Sequence, residues 1–330
     1  MTVLVTGGTG FVGAHLVRAL LERGDRVRCL VRRESRRDNL DHLDVALAEG
    51  DLRDTDSLRR AVAGCESLYH CAADYRLWVR DPAELYDANV EGTRRLLTAA
   101  REAGVEKVVY TSSVGALGLE PDGSPANEDT PVSLEKMIGH YKRSKFLAER
   151  VVEEACDEGL AVVIVNPSTP VGDLDIKPTP TGQIILDFLN GRMPAYVDTG
   201  LNLVDVRDVA AGHLLAEQKG RVGEKYILGN RNLSLREILE VLSRLTGAAA
   251  PRFRVPHWVP ALFAAGSAAV ARLAGTEPRV SPESVRMSRH KMYFDSSKAL
   301  RELGLPQTSV EEALERAVEW FRAVGRVEAQ

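Results

Sequence analysis

Two short stretches carry side chains that could move a proton. One is Tyr141-Lys142-Arg143-Ser144-Lys145; the other is the step Thr111-Ser112-Ser113 upstream of it. On a helix, Tyr141 and Lys145 stand one turn apart on the same face. An ammonium beside a phenol favours the phenolate and lowers the tyrosine pKa from its ordinary value of about 10. A serine hydroxyl at the end of a neighbouring strand can then hold a carbonyl or alcohol oxygen while a proton passes. A Tyr-x-x-x-Lys spacing arises readily by chance, so its weight depends on what precedes it.

Upstream, Thr2 to Thr6 is a short apolar run that reads as a buried parallel strand. Gly7-Gly8-Thr9-Gly10-Phe11-Val12-Gly13 follows at once, then a helical pattern from Ala14 to Arg23 that Gly24 stops. A second strand, Val27 to Val31, ends in Arg32-Arg33. Strand, glycine turn, helix and strand within about thirty residues is the setting that gives a GxGxxG-like spacing meaning. Small residues let the backbone approach a pyrophosphate, and the helix start offers free N–H groups and a positive dipole end.

The alternation continues. Strands are expected at Val45–Ala48, Ser67–Ala73, Lys107–Ser112 and Ala161–Val165, with helices at Thr55–Val62, over Pro82–Gly104 as one or two pieces, and from Tyr141 to about Glu158. Six strands joined by helices predict an α/β chain with a Rossmann-type, doubly wound parallel sheet and right-handed crossovers. Ligands of such sheets sit at the carboxyl ends of the strands. Gly7–Gly13, Arg32, Asp51, Ala72–Ala73, Ser112–Ser113 and Pro167 all fall there. The expected division is a dinucleotide-binding domain over 1–165, to which 201–230 returns, and a smaller substrate-binding cap built from 166–200 and 231–330. Within the cap, Ser234 to Thr246 reads as a helix with Ser234 as N-cap and Gly247 as stop.

Bulk properties bound the reading. The chain has 330 residues, enough for one large or two ordinary domains, and 43 basic against 47 acidic residues. That balance gives no general reason for a nucleic-acid partner. Cys29, Cys65, Cys71 and Cys156 are scattered, without metal-ligand or disulfide spacing, and no metal is expected. With no signal-like start, a reducing cytoplasm is the expected location. Val255 to Gly275 is apolar and alanine-rich but interrupted by His257, Pro260 and Arg272. The expectation is a helix packed on the cap; the sharper reading is weak membrane-surface contact through 258–275.

Assembled, these residues resemble the extended short-chain dehydrogenase/reductase family, of the NAD-dependent epimerase/dehydratase type, over nearly the whole chain. The likeness lies in Thr6–Gly13, Gly50-Asp51-Leu52, His70-Cys71-Ala72-Ala73, Asn89-Val90-Glu91-Gly92-Thr93, Tyr110–Ser113 and Tyr141-x-x-x-Lys145. Within the family the chain looks most like the dihydroflavonol-4-reductase-like branch. Its His70–Trp78 stretch is also similar to the group called hopanoid-associated sugar epimerases.

The resemblance implies Tyr141 as general acid/base, Lys145 as the group that tunes it and holds the nicotinamide ribose, and Ser113 on the substrate oxygen with Ser112 nearby. It implies Asn89 as a supporting residue. Gly7, Gly10, Phe11, Val12, Gly13 and Pro167 would line the cofactor, Asp51 and Leu52 would flank adenine, and Cys71, Ala72 and Ala73 would meet its middle. Tyr75, Trp78 and Thr169, with Ser113, are the candidate substrate contacts. Arg76 lies beside them, His140 reads as a helix-surface residue, and Arg207 as a partner of its acidic neighbours. Family analogy implies a homodimer through the helices near 90–103 and 141–157.

An NAD enzyme commonly carries an acid at the end of the second strand, where this chain has Arg32. A guanidinium suits a 2′-phosphate, so NADP(H) is favoured over NAD(H). Where nucleotide-sugar enzymes of the family commonly carry Arg and Asn after the sixth strand, this chain has Asn166 and Thr169. Where dehydratases carry Asp-Glu, it has Val114-Gly115. The expectation is reduction of a bulky, fairly apolar ketone. The alternatives are a sugar or nucleotide-sugar epimerase and a non-catalytic NADP(H)-sensing protein.

Overall fold

The computed structural model describes residues 1–76, 78–274 and 281–328. The first half of the chain runs β1 (Thr2–Thr6), α1 (Phe11–Glu22), β2 (Arg26–Val31), β3 (Ala46–Glu49), α2 (Thr55–Val62), β4 (Ser67–His70), α3 (Pro82–Tyr86), α4 (Gly92–Glu102), β5 (Lys107–Thr111), α5 (Gly139–Asp157) and β6 (Val162–Pro167). Then come β7 (Thr169–Val171), α6 (Pro180–Leu189), β8 (Ala195–Tyr196), β9 (Gly200–Asp205), α7 (Val206–Lys219), β10 (Lys225–Leu228), β11 (Arg231–Ser234) and α8 (Leu235–Thr246). The chain continues through β12 (Phe253–Arg254), α9 (Trp258–Ala274), α10 (Pro282–Met287), β13 (Lys291–Met292), α11 (Ser297–Glu302) and α12 (Val310–Ala323).

Seven parallel strands form the central sheet in the order β3-β2-β1-β4-β5-β6-β10. The chain moves outward from β1 in one direction, then restarts on its other side with β4. That reversal opens a crevice at the carboxyl ends of β1 and β4. Successive side chains of a strand point to opposite faces. Val3 and Val5 accordingly pack with Leu16, Leu20 and Val209 of α1 and α7, whereas Leu4 packs with Leu58, Leu97 and Val152 of α2, α4 and α5. Both faces are covered, which is why β1 and β6 read as unbroken apolar runs.

The alternation of the first 165 residues supplies six strands; the seventh, β10, arrives from far down the chain, with Lys225 opposite Ile164 and Leu228 opposite Pro167. Of the stretch 201–230 expected to return to the dinucleotide-binding domain, β10 joins this sheet, whereas residues 200–205, at the start of that stretch, do not. They form β9, the centre of a second sheet with β7, β11 and β13. That sheet shares a separate core with α6, α8 and α12, built from Ile185, Leu203, Leu239, Leu314 and Phe321.

Local signals fix several ends. Asp54 caps α2 by accepting from the N–H groups of Asp56 and Ser57. Ser234 and Glu237 form a reciprocal capping box on α8, which Gly247 ends at φ +76°. The expected helix over Pro82–Gly104 is three pieces, because Asp87–Glu91 forms a wide π turn between α3 and α4. The largest departure is α9. Trp258, Leu262, Phe263 and Val270 are 62, 65, 71 and 66 % exposed, and Phe253 just before it is 74 % exposed. The helix expected to pack on the cap turns an apolar face outward; residue 275, the end of that segment, lies outside the described residues, as does Leu77.

Candidate active site

β1 runs straight into the glycine turn, whose geometry tolerates no side chains at two positions. Gly7 sits at φ +75°, and a Cβ there would come 2.7 Å from the backbone nitrogen of Ala72. A Cβ on Gly13 would overlap the carbonyl oxygen of Gly7. The turn therefore lies flat against the end of β4, where Cys71, Ala72 and Ala73 follow. Gly10 precedes α1 without a side-chain cap, so the first N–H groups of α1, carried by Phe11 and Val12, are left for a bound anion. A cradle that a methyl group would fill, opening on uncapped amides, fits a dinucleotide pyrophosphate.

Behind this cradle runs a buried chain of hydrogen bonds. The Thr6 hydroxyl accepts from Ala72 N–H at 3.1 Å and lies 2.8 Å from His70 Nδ1; His70 Nε2 lies 3.0 Å from the Thr93 hydroxyl, which donates to the carbonyl of Asn89 at 2.7 Å. Since Thr93 spends its hydrogen on Asn89, the network assigns the proton of His70 to Nε2. Burial, aided by Lys145, holds this histidine neutral, with its pKa down at about 3. Asn89 in turn accepts from Asp74 N–H at 2.6 Å and donates to the Asp74 carbonyl and to Ser144 Oγ. The supporting role expected for Asn89 takes this form: it ties the loop after β4 to α5.

Across the crevice, α5 presents Tyr141 and Lys145. Ser113, just past β5, lies beside Tyr141, and its Oγ accepts from Gly115 N–H at 3.0 Å. The three residues expected to act together are thus brought together. Their electrostatics differ from the expectation that Lys145 lowers the phenol pKa. Burial raises the Tyr141 pKa above its ordinary value, the hydrogen-bonded Ser113 opposes this only in part, and Lys145 does not enter the balance. The ammonium is turned to the Thr111 carbonyl at 2.7 Å and the Tyr110 hydroxyl at 3.1 Å. Burial brings its own pKa down to about 8, against the opposing pull of Glu149 and Cys71.

Ser112 points the other way from Ser113. It donates to the fully buried Glu149 at 2.5 Å, and Asn166 Nδ2 donates to the same carboxylate at 2.7 Å. Lys225 of β10 completes the cluster, 2.6 Å from Glu149. Glu149 and Lys225 had no place in the sequence reading, and Tyr110 entered it only as part of the Tyr110–Ser113 motif, without a role of its own. The one available signal was that Glu149 lies a helical turn beyond Lys145 on the same face.

Around the rim, Arg32 is exposed at the end of β2. Asp51 is partly exposed and paired with Arg53, which lowers its pKa; Leu52 packs under Gly92. Tyr75 is 38 % exposed, with Lys177 Nζ 5.7 Å from its ring centre, and Arg76 pairs with Asp74. Trp78 is partly buried, Pro167 is buried at the end of β6, and Thr169 stands in β7 opposite Leu203. His140 meets the Tyr86 hydroxyl at 3.2 Å. Arg207 pairs with Asp173 at 3.3 Å rather than with its sequence neighbours, because Asp205 is spent on capping α7 and pairing with Arg316. Among the described residues no group of His, Cys, Asp and Glu could hold a metal ion.

This arrangement has known counterparts. The profile of the NAD dependent epimerase/dehydratase family matches residues 3–229. The chain belongs to this family. It is 54 % identical over 99 % of its length, and 96 % of the relative's, to a Synechocystis protein provisionally named dihydroflavonol 4-reductase. It is 44 % identical to the Sterol demethylase protein B of Methylococcus capsulatus, covering 99 % of this chain and all of that one. The crystal structure of gox2253 superposes with a TM-score of 0.89 at 51 % identity, over 99 % of both chains. This family member is an NAD(P)-binding oxidoreductase of the extended short-chain type. Among the described residues no helix is long and apolar enough to cross a membrane.

Proposed function

We propose that the protein reduces a bulky, largely apolar ketone to an alcohol with NADPH. The observation that carries this reading is the meeting of Ser113, Tyr141 and Lys145 beside a side-chain-free glycine turn, with Arg32 where a ribose-binding acid would stand. When bound, NADPH supplies a hydride to the carbonyl carbon. Gly7 to Gly13 hold its pyrophosphate and Arg32 its 2′-phosphate, with Asp51 and Leu52 at the adenine, Cys71 to Ala73 and Pro167 along its middle, and Lys145 at the nicotinamide ribose. Ser113 donates to the ketone oxygen and Tyr141 delivers the proton to it. A tyrosine whose pKa is raised keeps that proton through neutral pH, which suits a donor.

Tyr75, Trp78 and Thr169 line the substrate side. The epimerase alternative is weaker here, because a sugar diphosphate needs donors at the carboxyl end of β6. The Asn166 amide that stands there is already spent on Glu149 and on the Ser113 carbonyl at 3.1 Å. The names of the two relatives, a flavonol-type reductase and a sterol enzyme, both fit a large apolar substrate. The bare face of α9 is where such a substrate would arrive, from a lipid surface, and the outer sides of α4 and α5 are the homodimer contact that the family resemblance implies.

The deciding experiment follows NADPH and NADH consumption with a panel of cyclic ketones, for the native enzyme and Arg32→Ala. Oxidation of NADPH with net alcohol formation is expected, with the NADPH KM rising about tenfold in the variant and the NADH KM unchanged. No net oxidation, with sugar-nucleotide isomerisation instead, would overturn the reading. An NADPH KM indifferent to Arg32 would overturn the cofactor assignment.

A further inference from the structure

The pentapeptide that supplies Tyr141 and Lys145 holds a second lysine with no task so far. Lys142 is only 9 % exposed. Its ammonium touches the sulfur of Met292 at 3.5 Å. Burial pulls its pKa to about 8, with no neighbouring carboxylate to offset the effect among the described residues. Elsewhere the molecule gives such cations partners: the buried Lys145 has Tyr110 and Thr111, and the partly buried Lys225 has Glu149 and Glu153. A buried ammonium facing a thioether is an electrostatic deficit, since a thioether is a weak acceptor and the desolvation cost is large.

Its place is specific. A Cβ built on Gly115 would lie 3.5 Å from Lys142 Cγ, 3.8 Å from its Cε and 3.2 Å from Ser113 Oγ. The lysine stem and the serine hydroxyl thus flank the same glycine. The far side is apolar, formed by Val114, Leu117, Ile227 and Phe294 with Met292. A ligand whose oxygen rests on Ser113 would have its adjoining atoms over Gly115, against the Lys142 stem, with the ammonium at Met292 within the reach of that flexible side chain.

We propose that Lys142 is the counter-ion for a carboxylate that the substrate carries next to its reacting carbon. The ligand class is then an oxo or hydroxy acid with an apolar body. This deepens the reductase reading and rests on it for the position of the reacting oxygen. Lys142 is a specificity residue: it recognises charge and leaves proton transfer to Tyr141.

The test uses the full-length enzyme saturated with NADPH, which cannot take a hydride from an alcohol, and two probes, trans-2-hydroxycyclohexanecarboxylate and its methyl ester, titrated by calorimetry. The native protein is expected to bind the acid at least about tenfold more tightly than the ester, the scale of one charge-assisted contact. Lys142→Met should bring the two within about twofold, and Lys142→Arg should keep a preference for the acid. Equal binding of acid and ester by the native protein, or a preference that survives in K142M, overturns the proposal. K142M places a second thioether beside Met292 and removes a buried charge, so its thermal midpoint should not fall. Should it fail to fold, K142Q serves the same comparison. Oxidation of trans-2-hydroxycyclohexanecarboxylate by NADP⁺ is measured alongside, as NADPH formation. No turnover with the acid preference intact refutes the reductase and leaves the carboxylate subsite standing.

Discussion

At the carboxyl ends of β4, β5 and β6 polar side chains are buried and occupied with one another, while around α9 apolar side chains stand in the open. Thr6, His70, Thr93 and Asn89 hand hydrogen bonds along a closed series, and Glu149 gathers Ser112, Asn166 and Lys225. Trp258, Leu262, Phe263 and Val270, by contrast, each show well over half of their surface. The two regions are inversions of the usual rule that polar groups face out and apolar groups face in. The first inversion is stable because each of these side chains has at least one hydrogen-bond or ion-pair partner, which fixes the crevice wall to a narrow set of positions. The second has no such pairing among the described residues, and exposed apolar side chains gathered on one helix are a common mark of a contact surface.

The comparison can be broken from either end. Tyr141→Phe keeps the ring and removes the proton, so turnover should drop roughly 10²–10⁴-fold with little change in stability, read by steady-state kinetics and thermal unfolding. A variant with native turnover would remove the chemistry from the paired region. Gly7→Ala forces a side chain into a left-handed backbone beside Ala72. The backbone alone should cost about 1–2 kcal/mol, with NADPH affinity falling at least about tenfold in a fluorescence titration.

The pH profile sharpens the same region. Because burial brings Lys145 down to about 8, its charge is present below that pH and lost above it. The rate of reduction should hold through neutral pH and decline as pH rises past about 8. In stability the sign is opposite: between about 8 and the ordinary lysine pKa of about 10.4, the unfolded chain binds the extra proton, so this residue's contribution favours the fold increasingly as pH rises. The smallest effect belongs to the exposed region. Phe263→Glu should leave stability within about 0.5 kcal/mol, yet weaken flotation with anionic liposomes. Native protein that never floats would overturn the lipid-surface reading of α9.

What could be read in the sequence follows the same divide. The glycine turn and the Tyr141/Lys145 spacing are legible because backbone sterics and helical pitch impose them locally. Ser113 could be placed because a strand end positions it. Spacing could not say which acceptor wins the Lys145 ammonium: Thr111 and Tyr110 come from another strand, so the tuning of Tyr141 came out with the wrong sign. Glu149 and Lys225 are 76 residues apart, and nothing in either neighbourhood announces the other. For α9 the apolar composition predicted a helix. Which face would be covered depends on α10, packed against it from further along the chain, beyond the reach of periodicity.

The grip of Lys225 on Glu149 also sets an order on biosynthesis. Tyr141, Lys145 and the carboxylate behind them leave the ribosome together, but the cation that balances this carboxylate is made 76 residues later. Until β10 has slid in beside β6, Glu149 lacks its direct ion partner, so this wall of the crevice is complete only when the last strand of the sheet has been synthesised.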